Sequence, residues 1–106
     1  MSSVIPAPIQ RFVDATNRAD RAGFLSTFTE DAILTDWGRT FEGRARIADW
    51  DKTDNIGVKS HLAIVSATQT GNTCRAQVKV NGRGFNGTGT MTFQLAGDQI
   101  ARLDIS

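Results

Sequence analysis

The sequence predicts an α+β domain in which a strongly curved antiparallel sheet packs on about three N-terminal helices. Apolar residues recur at helical spacing in the first half of the chain, and their period changes to two after Asn55-Ile56-Gly57. Gly84, Gly87 and Gly89 lie in the strand-rich half, where glycines permit the bends and bulges of a curved sheet.

Three helices are expected. The first runs from about residue 6 to 18, with an apolar face made of Ile5, Ile9, Phe12, Val13 and Thr16. Pro6 and Pro8 suit its first turn, where backbone N–H groups have no partner inside the helix. Asp20 is a typical N-cap for a second, shorter helix carrying Phe24, Leu25 and Phe28. Gly43 opens a third helix, which places Ile47 and Trp50 on one face.

Five strands are expected. Residues 32 to 37 form the first, followed by a turn at Gly38-Arg39. The others cover about residues 61–70, 74–80, 87–95 and 100–105, because apolar and polar side chains alternate there. Cys74 alternates with Ala76 and Val78 on the apolar face, which predicts an inert core thiol.

Composition narrows the function classes. A chain of 106 residues is long enough for one domain, and its formal charge of +1 gives no electrostatic case for nucleic acid or an anionic membrane. A single cysteine and a single histidine exclude an intramolecular disulfide and a Cys/His zinc site. No secretory signal or membrane-spanning run is recognisable. We therefore expect a cytoplasmic protein with no metal and no organic cofactor.

Asp36 is the candidate catalytic residue. It ends the apolar run that begins at Ala32, and Trp37, Phe41 and Trp50 are near it in the sequence. A carboxylate in the wall of an apolar pocket is a stronger base than one in water. The alternative is structural: Asp36 caps the following turn or pairs with Arg39 or Arg44.

The element order covers nearly the whole chain and resembles the nuclear transport factor 2-like superfamily, which includes SnoaL-type polyketide cyclases and ketosteroid isomerases. The densest match runs from Ile9-Gln-Arg-Phe-Val13 through Asp31-Ala-Ile-Leu-Thr-Asp36. The resemblance implies a cone-shaped, cystatin-like roll that holds a small hydrophobic molecule and is frequently a homodimer. It says little about activity, because this fold hosts many functions.

The isomerase pattern is incomplete when it is carried over by position. Asp36 falls where those enzymes keep the general base. Phe12 falls where they keep a tyrosine donor, and the chain contains no tyrosine. Met91 falls near the position of their protonated aspartic acid. Loss of one such donor typically costs about 3 kcal/mol of transition-state stabilisation, so efficient ketosteroid isomerisation is not expected.

The resemblance also implies which residues line a pocket: Phe12, Thr16, Trp37, Phe41, Trp50, Met91 and Phe93. The alternative is that they are plain core. His61 is a second, weaker catalytic candidate, because alternation groups it with Ala63 and Val65 on a face that can point to the core. The alternative is a surface histidine or a core histidine whose hydrogen bonds are satisfied.

Three functions follow from these residues. The first is a module that binds a small hydrophobic molecule. The second is a cofactor-free isomerase, cyclase or lyase that uses Asp36 as general base. The third is a homodimeric interaction module without turnover, whose interface is the polar sheet face formed by Arg75, Gln77, Lys79, Thr88, Thr90, Thr92 and Gln94.

Overall fold

The computed structural model describes residues 5–106, which form three α-helices and one six-stranded sheet. The helices are α1 (Ala7–Asn17), α2 (Arg21–Ser26) and α3 (Gly43–Asp54), and a short 3₁₀ turn (Ile56–Val58) follows α3. The strands are β1 (Phe28–Asp36), β2 (Arg39–Glu42), β3 (His61–Thr70), β4 (Thr73–Asn81), β5 (Gly87–Ala96) and β6 (Gln99–Ile105). The predicted α+β class is confirmed.

The sheet is open and curved, with the strand order β2-β1-β6-β5-β4-β3. Strands β3 to β6 form the antiparallel meander that alternation predicts. Strand β1 joins that meander through a parallel pairing with β6, in which Asp36 lies opposite Ile105. This parallel pairing brings the end of β1, and with it Asp36, beside the last strand of the chain.

Strand β2 was not predicted, because its four residues resemble a turn leading into α3. The turn itself consists of Trp37 and Gly38, both at positive φ (49° and 87°), where a turn at Gly38-Arg39 was expected. Two consecutive positive φ values are the signature of the tight hairpin turns that match strand twist. Arg39 therefore begins β2, directly opposite Asp36.

The aromatic residues of the helices and of β5 form the centre of the core. Phe12 is fully buried, and its ring centroid lies 5.4 Å from that of Phe24, 6.0 Å from that of Phe28 and 5.5 Å from that of Phe93. Such pairs contribute about 0.5–1.5 kcal/mol each beyond the burial of their area. Phe28 was expected in the second helix but is the first residue of β1, since it pairs with Ile100 of the parallel ladder.

The capping prediction for α2 is confirmed. The Asp20 carboxylate accepts a hydrogen bond from the backbone N–H of Gly23 at 2.9 Å. A side chain that satisfies a free N–H at a helix start typically contributes about 1 kcal/mol.

The apolar face of β3 is the opposite of the one that alternation indicated. Leu62 is buried, whereas His61 and Ala63 are exposed and Val65 is 65% exposed. The side chain of Asn17 fixes this register, because it accepts from the backbone N–H of Leu62 (2.8 Å) and donates to the carbonyl oxygen of the same residue (2.9 Å). A β-bulge between Ile64 and Ser66 then shifts the alternation.

A buried polar network ties the end of α3 to α1. Asp51 is only 2% exposed, and its Oδ1 accepts from Asn55 Nδ2 at 3.0 Å and from the backbone N–H of Ile56 at 3.3 Å. Asn55 Nδ2 also donates to Thr16 Oγ1 at 3.2 Å. Burial raises the pKa of Asp51 above its ordinary value of 3.8, and this effect exceeds the lowering by the two hydrogen bonds.

We predict that Asp51→Asn makes the protein progressively more stable, relative to the wild type, as the pH rises above about 4. The folded state binds the Asp51 proton more tightly than the unfolded state does, so stability present at low pH is lost as the pH rises through the raised pKa. Asparagine keeps an acceptor oxygen without the charge. Urea unfolding of both proteins between about pH 4 and pH 7 measures the difference.

The matched control is Asp49→Asn on the exposed side of the same helix. If the free energies of unfolding of the wild type and of Asp51→Asn differ by the same amount at every pH, the prediction is contradicted.

Candidate functional site

A cavity of about 250 Å³ lies between α3, the β1–β2 turn and the inner face of the sheet. Its polar lining consists of Asp36, Arg39, Asp54, Asn55 and Ser60. The remaining lining is made of aromatic and aliphatic side chains together with one glycine: Trp37, Trp50, Phe85, Leu62, Val80, Met91, Ile105 and Gly89. Such a lining, mainly apolar with a few polar groups, is typical of small-molecule sites.

Asp36 lies in the cavity wall and is held by two donors. Its Oδ2 accepts a hydrogen bond from Trp50 Nε1 at 3.0 Å and one from Arg39 Nη2 at 2.7 Å. Only 14% of its side chain is exposed. Both hydrogen bonds that Asp36 receives from residues 5–106 go to Oδ2, so Oδ1 has no partner there. Asp36 therefore lines the cavity and also makes the ion pair with Arg39 that the alternative reading expected.

Arg39 bridges two carboxylates at this edge of the cavity. Besides its contact with Asp36, it donates from Nη2 to Asp54 Oδ1 at 3.2 Å and from Nη1 to Asp54 Oδ2 at 3.3 Å. The hydrogen bond to Asp54 raises the pKa of Arg39 above its ordinary value, and the charges of both carboxylates act in the same direction. Because the Arg39 side chain is 54% exposed, solvent screens these pairs, and each contributes at most about 1 kcal/mol to stability.

Trp37 stands at the rim of the cavity. It is 73% exposed, and its φ of 49° is a conformation that non-glycine residues adopt at a cost of about 1–2 kcal/mol. Its backbone N–H donates to the carbonyl oxygen of Ile105 at 3.2 Å, which ties the turn to β6. The tight turn between β1 and β2 requires this positive φ, and it leaves the Trp37 side chain exposed beside the cavity.

Phe85 lies in the loop of residues 82–86, which is longer than the turn expected at Asn81-Gly82. The Asn86 side chain closes this loop by donating to the carbonyl oxygens of Gly82 (2.9 Å) and Gly84 (3.1 Å). The Phe85 ring packs over Gly87, where a Cβ atom would come within 3.1 Å of it. Glycine at 87 thus allows the ring to fold back onto the cavity.

Three of the seven residues expected to line a pocket do line the cavity: Trp37, Trp50 and Met91. Phe12, Thr16 and Phe93 lie in the solid core instead, because the face of α1 and the aromatic rings pack directly against each other. Phe41 is half-buried outside the lining, with Arg39 Cζ 5.6 Å from its ring centroid.

His61 lies at the exposed start of β3 and is not part of the lining, whereas its neighbour Leu62 is. Arg44, the other partner considered for Asp36, donates instead to the carbonyl oxygen of Phe28 from Nε (3.0 Å) and Nη2 (2.6 Å). These two residues are therefore separate from the Asp36 contacts.

The sequence reading missed Asn55 and Ser60. They flank the 3₁₀ turn, and the left-handed conformation of Lys59 (φ 56°) turns the chain so that Ser60 N–H donates to the carbonyl oxygen of Asn55 at 3.0 Å. The available signal was a pair of small polar residues between a helix and a strand, which is also the composition of an ordinary loop. Val80 and Ile105 were foreseeable as inward-facing residues, but not as cavity walls.

Within residues 5–106, no three Cys, His, Asp or Glu side chains come together in a way that could hold a metal ion. The helices of that same range are all too short or too polar to cross a membrane.

Solved structures share this fold at low sequence identity. A "putative polyketide cyclase" from Sinorhizobium meliloti aligns with a TM-score of 0.85 and 27% identity, over 96% of this chain and 95% of that one. The Δ5-3-ketosteroid isomerase from a Mycobacterium species aligns with a TM-score of 0.80 and 15% identity, over 94% and 89%. A computationally designed 17-OHP binder aligns with a TM-score of 0.83 and 14% identity, over 96% and 92%.

A sequence search of curated proteins gave no match. A family model described as a SnoaL-like domain matches residues 9–103. The predicted resemblance to cyclases and isomerases of the nuclear transport factor 2-like superfamily is thereby confirmed at the level of the fold. With nearly its whole length matched, the chain belongs to the SnoaL-like domain family.

Proposed function

We propose that this protein binds a small, mainly apolar molecule in the cavity, with Asp36 as its polar anchor. The observation that carries the proposal is the position of Asp36: its carboxylate forms part of a mainly apolar wall, and its Oδ1 has no partner among residues 5–106. The designed 17-OHP binder supports the proposal, since its fold is the same and its purpose is ligand binding.

The size of the cavity limits the ligand. Pockets for drug-sized molecules measure roughly 300–1,000 Å³, and this cavity of about 250 Å³ is smaller. Burial of apolar ligand surface against Leu62, Val80, Met91 and Ile105 supplies the driving force, at about 25 cal/mol per Å² removed from water. We therefore expect a compact ligand with one polar group and only modest affinity.

A cofactor-free isomerase, cyclase or lyase is the second candidate, and the free Oδ1 of Asp36 favours it because a general base needs an accessible oxygen. Ketosteroid isomerisation is not proposed. Phe12 is fully buried in the core, and the Met91 side chain offers no hydrogen-bond donor.

We also propose that the protein forms a homodimer through the outer face of the sheet. Its proposed location is the cytoplasm. Arg75, Lys79 and Thr88 are exposed on that face, and Gln77 Nε2 donates to Thr90 Oγ1 at 3.0 Å. The face also carries little exposed apolar area, so such a dimer would be more polar than most obligate ones.

We predict that p-xylene, a neutral apolar probe, binds in the cavity. Binding should shift the indole N–H resonance of Trp50 and change tryptophan fluorescence. In Val80→Phe the added ring fills the cavity, and the affinity should fall at least about tenfold. Val65→Phe is the matched control, because Val65 is exposed and outside the cavity, and its affinity should equal that of the wild type.

Equal loss of p-xylene affinity in both variants would contradict the binding proposal, and so would absence of binding to the folded wild type by both p-xylene and compact probes that carry one polar group. Leu62→Phe serves as a second cavity-filling variant if Val80→Phe does not fold.

For the enzymatic candidate we predict that the protein catalyses hydrogen–deuterium exchange at the α-carbon of 2-indanone in D₂O. Asp36 would remove the α-proton, and solvent deuterium would then return to the same carbon. Asp36→Asn should lower the exchange rate at least about a hundredfold, because general bases typically contribute 10²–10⁴-fold. Exchange is followed by NMR, with Asp49→Asn as the control; a wild-type rate equal to that of buffer would eliminate this candidate.

For the dimer we predict concentration-dependent association in sedimentation velocity, weakened when Gln77→Lys adds a positive charge to an outer sheet face that already carries Arg75 and Lys79. Gln10→Lys on the exposed side of α1, away from that face, is the control. A dissociation constant of about 1 mM corresponds to an association free energy of about 4 kcal/mol. A protein that stays monomeric at every concentration up to about 1 mM would therefore contradict the dimer proposal.

A further inference from the structure

Ser60 carries an unused hydroxyl group that opens into the cavity. The residue is 6% exposed and lines the cavity, and its Oγ makes no hydrogen bond to residues 5–106. Among the same residues, no fully buried side-chain nitrogen or oxygen lacks a partner. The Ser60 hydroxyl must therefore reach open space, and for a residue this buried the cavity is that space.

Asn55 presents an unused acceptor by the same reasoning. Its Nδ2 is committed to Asp51 Oδ1 and Thr16 Oγ1, which fixes the orientation of the amide because a carboxylate oxygen needs a donor opposite it. Its Oδ1 receives no hydrogen bond from the described part of the chain, although the residue is only 3% exposed. The backbone N–H of Ser60 donates to the backbone carbonyl oxygen of Asn55 at 3.0 Å, and this hydrogen bond holds the two residues together.

The polar atoms available in the cavity are therefore mostly acceptors. Asp36 Oδ1 and Asn55 Oδ1 only accept, and Ser60 Oγ can accept or donate. Most donors of the lining are already directed at protein oxygens. Trp50 Nε1 donates to Asp36, and three of the five Arg39 N–H groups donate to Asp36 and Asp54. A ligand that itself donates hydrogen bonds matches these acceptors, whereas a ketone or lactone carbonyl can accept only from the Ser60 hydroxyl and the remaining Arg39 N–H groups.

Charge selects among donating ligands. The lining contains two carboxylates, Asp36 and Asp54, and one guanidinium, that of Arg39. One negative charge therefore remains without a counter-charge in the lining. Trp37, Trp50 and Phe85 add aromatic rings, whose faces attract cations.

We propose that the ligand of this cavity is a compact apolar molecule carrying a protonated amine. An ammonium group has three N–H donors, and the residues that line the cavity supply three acceptors for it, Asp36 Oδ1, Asn55 Oδ1 and Ser60 Oγ. The apolar body of the molecule lies against Leu62, Val80 and Met91. This inference rests on the proposed binding function and names the chemical class of its ligand.

The test uses three molecules of one shape: 2-aminoadamantane, 2-adamantanol and 2-adamantanone. Their affinities are measured by calorimetry or NMR titration at neutral pH, where the amine is protonated. The amine should bind at least about tenfold more tightly than the ketone, because a hydrogen bond to a charged group is worth more than one between neutral groups. The affinity for the alcohol should lie between those for the amine and the ketone.

Three variants assign the interaction to residues. Asp36→Asn should lower the preference for the amine over the ketone at least about tenfold, with Asp49→Asn as the control. Ser60→Ala should lower the affinity for the amine about fivefold, with the exposed Ser66→Ala as the matched control. Arg39→Gln should raise the affinity for the amine, because Asp36 and Asp54 then lack their cation. Its control is Arg46→Gln.

The outcomes separate this inference from the proposed function. A ketone that binds as tightly as the amine, or p-xylene binding without any amine binding, overturns the inference and leaves the binding function intact. If p-xylene and all three adamantane compounds fail to bind the folded protein, the proposed function fails and the inference fails with it.

Discussion

The hydrogen bond from the Trp50 indole to Asp36 is the contact on which the candidate site depends. It joins the middle of α3 to the end of β1 at 3.0 Å, and the two elements form one wall of the cavity. The same indole stacks on Phe24, with ring centroids 6.2 Å apart, so the site is anchored to the aromatic core. A site built on packed elements in this way holds its polar groups more firmly than one built on loops.

The distribution of large side chains explains why the cavity lies at the Asp36 end of the fold. Phe12, Phe24, Phe28 and Phe93 fill the space between the helices and the middle of the sheet. Towards Asp36 the inward positions carry smaller or flexible residues, among them Val80, Gly89 and Met91, which do not fill the widening gap.

The sequence predicted the architecture well, because helical spacing, the Asp20 cap and the alternation from β4 onward are local signals. It failed where a distant contact decides. The Asn17 side chain sets the register of β3, and this reverses the face expected for His61. Asp36 was identified as a pocket residue because it ends a strand in a recognisable pattern. Asn55 and Ser60 were not, because only the folded chain shows which of their atoms lack a partner.

The pairing of β1 with β6 has a consequence for how the molecule is made. Asp36 lies opposite Ile105, and Trp37 donates its N–H to the same residue near the far end of the chain. During synthesis the ribosome delivers the N-terminal half long before the strand that completes it. Until then β1 has an open edge, and Asp36 lacks its ladder neighbour. Contacts between residues so far apart are formed late and slowly, so the wall that carries Asp36 is assembled only after β6 has been synthesised.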